Sequence, residues 1–148
     1  MKNKFAEEFA KYSRIKEQYD AANKANDASG KKAAADAMVA FRQNISDKGQ
    51  SYCDLYEKYE EAMERGNEYI DLSECYEYRD EAALISSFRE HGIEKFTFSS
   101  GWSSAVESAW LFIQNGCALV GMVEINSRFT CIDGDGFEKR HAYLFSVN

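Results

Sequence analysis

Residues 93–125, IEKFTFSSGWSSAVESAWLFIQNGCALVGMVEI, decide the fold. Lys95–Phe98 reads as a short strand. A polar loop follows, and Ser104 with Glu107 three residues later predicts a helix start with a capping box. Asn115-Gly116 supplies the stop, because glycine accepts the left-handed backbone that ends many helices. Cys117–Ile125 is then almost continuously apolar, which predicts a central strand buried on both faces. Strand, helix and strand in succession imply a crossover that lays a helix on a sheet.

Working outward, Asp80–His91 predicts a second helix, with Asp80 as cap, Leu84, Ile85 and Phe88 facing inward, and Gly92 at the exit. Tyr69–Leu72 is a short strand ahead of it. Downstream, Arg128–Ile132 and Arg140–Val147 flank the turn-forming Asp133–Gly136 and predict a terminal antiparallel hairpin. The order over 67–148 is therefore β-α-β-α-β-β-β.

The first part of the chain reads differently. Phe5, Phe9, Tyr12, Ile15, Tyr19 and Ala22 recur at three and four, making residues 3–25 an amphipathic helix. A loop over Asn26–Lys32 follows, with Asp27 or Ser29 available as a cap. A second helix runs from Lys31 to Ser46, and a third from Ser51 to Glu64 with Gly66 beyond it. The expected fold is α+β: an N-terminal helical hairpin or three-helix segment (1–66) packed on a small mixed α/β sheet region (67–148) that ends in a hairpin, the two forming one compact unit.

Composition bounds the function. A chain of 148 residues with 45% hydrophobic and 14% aromatic side chains can bury a core and is not disordered. The longest clean apolar run, Cys117–Val123, is far short of the roughly 20 residues of a membrane-spanning helix. Glu7 and Glu8 interrupt the N-terminus before any apolar signal core. The expected location is the cytoplasm. The cysteines at 53, 75, 117 and 131 form no C-x-x-C pair and read as free thiols, not as a disulfide scaffold or zinc site. No cofactor is expected.

The net charge of −7 is unevenly spread. Residues 54–90 hold twelve acidic side chains against four basic ones, a net of −8. Such a field repels phosphate backbones and anionic lipid, so direct nucleic-acid or membrane binding is not expected, a local patch at Lys24, Lys31 and Lys32 aside. A basic protein surface is the favoured partner. Glu57, Glu61, Glu64 and Glu68 fall on one helical face, and Glu74, Tyr76, Glu77 and Tyr78 add acids and aromatic anchors. The simpler reading of the glutamates is a solvated face, and of the tyrosines an edge strand.

Three other constellations stand out. Ser99, Ser100, Gly101, Ser103 and Ser104, around Trp102, sit where a strand feeds a helix N-terminus, a place suited to an anion. Capping by Ser103 or Ser104, with Trp102 packed on the sheet, is the alternative. Asp133-Gly134-Asp135-Gly136 fails the calcium-loop spacing and reads as a turn. His141 would form an acid–base pair with Glu124 or Asp133 if the fold joined them, whereas His91 ends a helix. No nucleophile elbow surrounds Ser103.

In size and acidity the chain resembles small accessory proteins of phages, plasmids and other mobile elements of Gram-positive bacteria, among them anti-CRISPR proteins. That resemblance implies a stoichiometric inhibitor that occupies a basic nucleic-acid channel of a nuclease complex, as a nucleic-acid mimic would. The residues themselves favour a non-enzymatic acidic binding protein. The alternatives are a small-ligand or anion-binding domain or small enzyme built on Ser99–Ser104, and a structural protein that dimerises through residues 5–22.

Overall fold

The structure, a computed structural model, describes residues 3–73 and 80–148. It contains an N-terminal three-helix segment and a four-stranded mixed sheet ending in a β-hairpin. The backbone divides into two compact units, the boundary falling between Glu57 and Lys58.

The helical unit holds α1 (Lys4–Lys24), α2 (Ala28–Asp47) and the first part of α3 (Gln50–Glu64). Asn3 caps α1 by accepting the Phe5 N–H at 2.9 Å. Asp27 caps α2 by accepting the Gly30 N–H at 3.0 Å. The link between α1 and α2 is therefore shorter than the predicted 26–32 loop: Asp27 starts the helix at Ala28, and only Asn26 takes a left-handed backbone, φ 52°. Phe5, Tyr12, Phe41, Ile45, Leu55 and Tyr56 make the core. Phe5 lies 5.0 Å from the Tyr52 ring, and Phe41 meets Tyr56 edge-on at 5.9 Å. Lys48 reaches the carboxylate of Glu8 at 2.6 Å, and this bond raises the ammonium pKa.

The sheet unit adds β1 (Ile70–Leu72), α4 (Glu81–His91), β2 (Lys95–Phe98), α5 (Ala105–Gln114), β3 (Cys117–Thr130) and β4 (Phe137–Val147). The strand order is β1-β2-β4-β3, with β1 and β2 parallel and the other pairs antiparallel. α4 is the crossover between β1 and β2, begun by Asp80 accepting the Ala83 N–H and ended by Gly92 at φ 75°. Phe96, Phe98 and Phe145 share one sheet face, and Phe88 of α4 and Phe112 of α5 descend onto it, with ring centroids 5.0–5.5 Å apart. Burying each such ring contributes about 1.5–3 kcal/mol.

Two expectations for 93–132 are corrected. Cys117–Ile125 and Arg128–Ile132 are not separate strands; β3 runs through Cys117–Thr130, with a register shift at Leu119/Gly121 and another between Asn126 and Thr130. Nor is β3 central or covered on both faces. It is an edge strand, at the opposite side of the sheet from β1, and Ala118–Met122 are exposed. The long apolar run is real, but β4 took the central position because it pairs with β2 on one side and with its hairpin partner on the other.

Candidate functional site

α4 and α5 lie on the same sheet face, yet their outer surfaces differ. α5 turns Val106, Trp110 and Ile113 to solvent, with Val106 82% and Trp110 58% exposed. Trp102, one turn ahead of Val106, continues the stripe at 60% exposure and so does not pack on the sheet. The stripe is joined by the sheet's edge. Leu119 pairs with Phe145 and Met122 with Tyr143, so both point to the face that carries α5. Leu119, Val120 and Met122 are each exposed by half or more. Soluble proteins seldom leave so large an apolar surface bare unless something binds it.

The Ser99–Ser104 loop is differently occupied. The Ser99 N–H donates to the Leu72 carbonyl and its hydroxyl to Asp71 Oδ2 at 2.7 Å. Ser100 Oγ accepts the Trp102 N–H at 3.3 Å. Gly101 and Ser103 are exposed. The predicted capping box does not form: Ser104 has a helical backbone, ψ −2°, and no side-chain cap bond, because α5 is entered through the turn in which the Ala105 N–H donates to Trp102. Asp71, which sequence reasoning passed over, is the unusual group here. Burial pushes its carboxyl upward, opposed by hydroxyl bonds from Thr97 (2.7 Å) and Ser99 and by the charges of Arg65 and Arg140. The alternation of Ile70, Asp71 and Leu72 was its only signal: Ile70 and Leu72 share the helix-covered face, which sends Asp71 to the other.

The described acidic side chains of 54–90 divide between exposed and inward-facing positions. Glu57, Glu61 and Glu64 are exposed along one side of α3, and Glu68 is exposed beyond it. Glu60 and Asp71 turn inward, and Glu81 is buried where it accepts the Ser108 hydroxyl at 3.1 Å, linking α4 to α5. Glu74, Tyr76, Glu77 and Tyr78 lie outside the described residues, as does Cys75.

A family model, a domain of unknown function (DUF7698), matches residues 54–147. The chain belongs to that family. The DUF7698 match takes in the sheet unit, the exposed α3 glutamates and the α5–β3 apolar surface, whereas α1 and α2 precede it. No curated protein and no solved structure matches the chain.

Several other polar groups hold the chain together. Asn67 and Asn126 exchange bonds of 2.9 and 2.8 Å, and Asn126 Nδ2 donates to the Arg65 carbonyl, tying the chain after α3 to β3. The guanidinium of Arg89 donates to the carbonyls of Asn115 and Asn148, and Gly116 (φ 96°) leaves it room: a Cβ there would stand 2.6 Å from Arg89 Nη2. His141 stands opposite Glu124 in the hairpin register, and His91 Nδ1 lies 2.8 Å from the Ser87 carbonyl, so Nδ1 carries the proton. The 133–136 segment is a tight turn, with Gly134 and Gly136 at positive φ and Asp133 accepting the Asp135 N–H. Cys53, Cys117 and Cys131 are free, and burial raises the Cys117 thiol pKa. Among the described residues no group of three or more His, Cys, Asp and Glu side chains is arranged to hold a metal, and no helix is long and apolar enough to cross a membrane.

Proposed function

We propose that this protein is a non-enzymatic binding protein whose contact face is the apolar surface of α5 and β3. The observation that carries this reading is the exposure of Val106, Trp110, Leu119 and Met122 on one side of one unit. Aromatic and long aliphatic side chains beside an open sheet edge suit a partner that presents an apolar strand or helix. The reading is tested by affinity capture with tagged wild type against Trp110→Lys. Bound partners should be lost with the variant, and identical capture by both contradicts it.

A second reading assigns the exposed Glu57, Glu61 and Glu64 side of α3 to a basic protein surface, such as the nucleic-acid channel of a nuclease complex. Its support is that these three glutamates point outward while Glu60, between them, does not. Binding to an immobilised lysine- and arginine-rich peptide should fall with added salt and with Glu57→Lys, Glu61→Lys and Glu64→Lys combined. Salt-insensitive binding, or none by the wild type, counts against it.

A further inference from the structure

We infer that the occupant of the α5–β3 face is a second copy of this chain, paired edge to edge through the Cys117–Val123 stretch of β3; this rests on the apolar-face reading above. Four observations carry it.

First, the edge is open and, of the usual guards, carries only a bulge. Among the described residues β3 ends the strand order, so its outer backbone groups have no described strand beside them within the sheet. Proteins commonly protect such edges with lysine, proline, inward charges or a bulge. Cys117–Val123 has no charged residue and no proline. Its only interruption is the bulge at Leu119/Gly121, and that places an apolar, half-exposed Val120 on the edge.

Second, the charge pattern leaves this surface as the place where a like partner is tolerated. The chain carries 43 charged residues in 148, yet residues 96–123 contain one, Glu107. Two copies with a net charge of −7 each repel wherever their acids face each other. The nearly charge-free α5–β3 surface is where that repulsion is smallest.

Third, the surface complements itself. An antiparallel strand pair about a two-fold axis needs only one segment to supply both sides. Pairing β3 with its copy would extend the sheet from four strands to eight. Because α5 rests on the face that Leu119 and Met122 occupy, the Trp110 and Ile113 stripes of the two copies would flank the joint.

Fourth, the size is adequate. The exposed side-chain area of the α5 stripe with Leu119, Val120 and Met122 is on the order of the roughly 800 Å² per partner that a standard interface buries.

The test is sedimentation equilibrium of the full chain over a dilution series up to about 100 µM, a range in which an interface of this size is populated. The expected result is a mass twice 16.9 kDa that falls on dilution. Val120→Lys with Met122→Lys should weaken the dimer at least tenfold while the far-ultraviolet dichroism stays that of the wild type. A wild type that remains at 16.9 kDa throughout overturns the inference, and that result needs no variant to fold. A dimer unmoved by both lysines overturns it too. A monomeric wild type whose capture of another protein is still lost in Trp110→Lys overturns the second copy as occupant and leaves the binding face standing.

Discussion

α4 and α5 are two helices of nearly equal length resting on one face of one sheet, and they treat water in opposite ways. Their inner sides are equivalent: Phe88 from one and Phe112 from the other are both fully buried against Phe96. Outward, α4 shows Ala82, Ala83, Ser86, Arg89 and Glu90, small or polar groups that water accepts. α5 shows Val106, Trp110 and Ile113. Their ends differ as well. α4 has an aspartate cap and a left-handed glycine exit, whereas Ser104 gives α5 no side-chain cap bond. A helix needs only one apolar side to hold a sheet. The second apolar side of α5 adds nothing to that packing, which is what the proposed contact face rests on.

The comparison is broken most severely from the inside. Phe88→Ala and Phe112→Ala should each cost about 3–5 kcal/mol in urea unfolding, because both empty the same aromatic cluster. Very unequal losses would show that one helix is only loosely laid on the sheet. The outer sides should separate the helices instead. Trp110→Lys should weaken self-association at least tenfold by sedimentation with little change in the unfolding midpoint, whereas Ala83→Lys on α4 should change neither. The caps give the smallest contrast. Asp80→Ala should cost about 1 kcal/mol in the same unfolding experiment. Ser104→Ala should cost no more than a few tenths, since no side-chain cap bond is lost there.

Much of this was legible from local chemistry. Asp27, Asp80 and Gly92 are short-range signals: the two aspartates start α2 and α4 and the glycine ends α4, as their residue types predict. The apolar spacing of Phe5 and Tyr12, and of Phe41 and Ile45, selected the sides that form the helical core. Where the outcome depended on strand order, local pattern did not suffice. Cys117–Ile125 has the composition of a strand covered on both faces, and the same composition serves an edge strand that something else covers. Ser104 and Glu107 satisfy the capping-box spacing, but the turn at Trp102 sets the entry to α5 before the serine can act. Asp71 was illegible for a related reason. A carboxylate between two apolar residues looks like a solvent-facing position, and only the pairing with Thr97 and the arrival of Ser99 show it to be an inward one. The acidic stretch 54–90 was legible only in part for the same reason, since sequence counts charges without saying which of them, like Glu60 and Glu81, turn inward.

The central claim is that the apolar side of α5 and the open edge of β3 form one contact surface. Amide hydrogen exchange of the wild-type chain at high and at low protein concentration tests it most directly. Exchange of the Ala118–Met122 amides should slow at high concentration while the amides of α4 stay unchanged, because only the edge gains partners. Equal exchange of Ala118–Met122 at both concentrations would contradict the account.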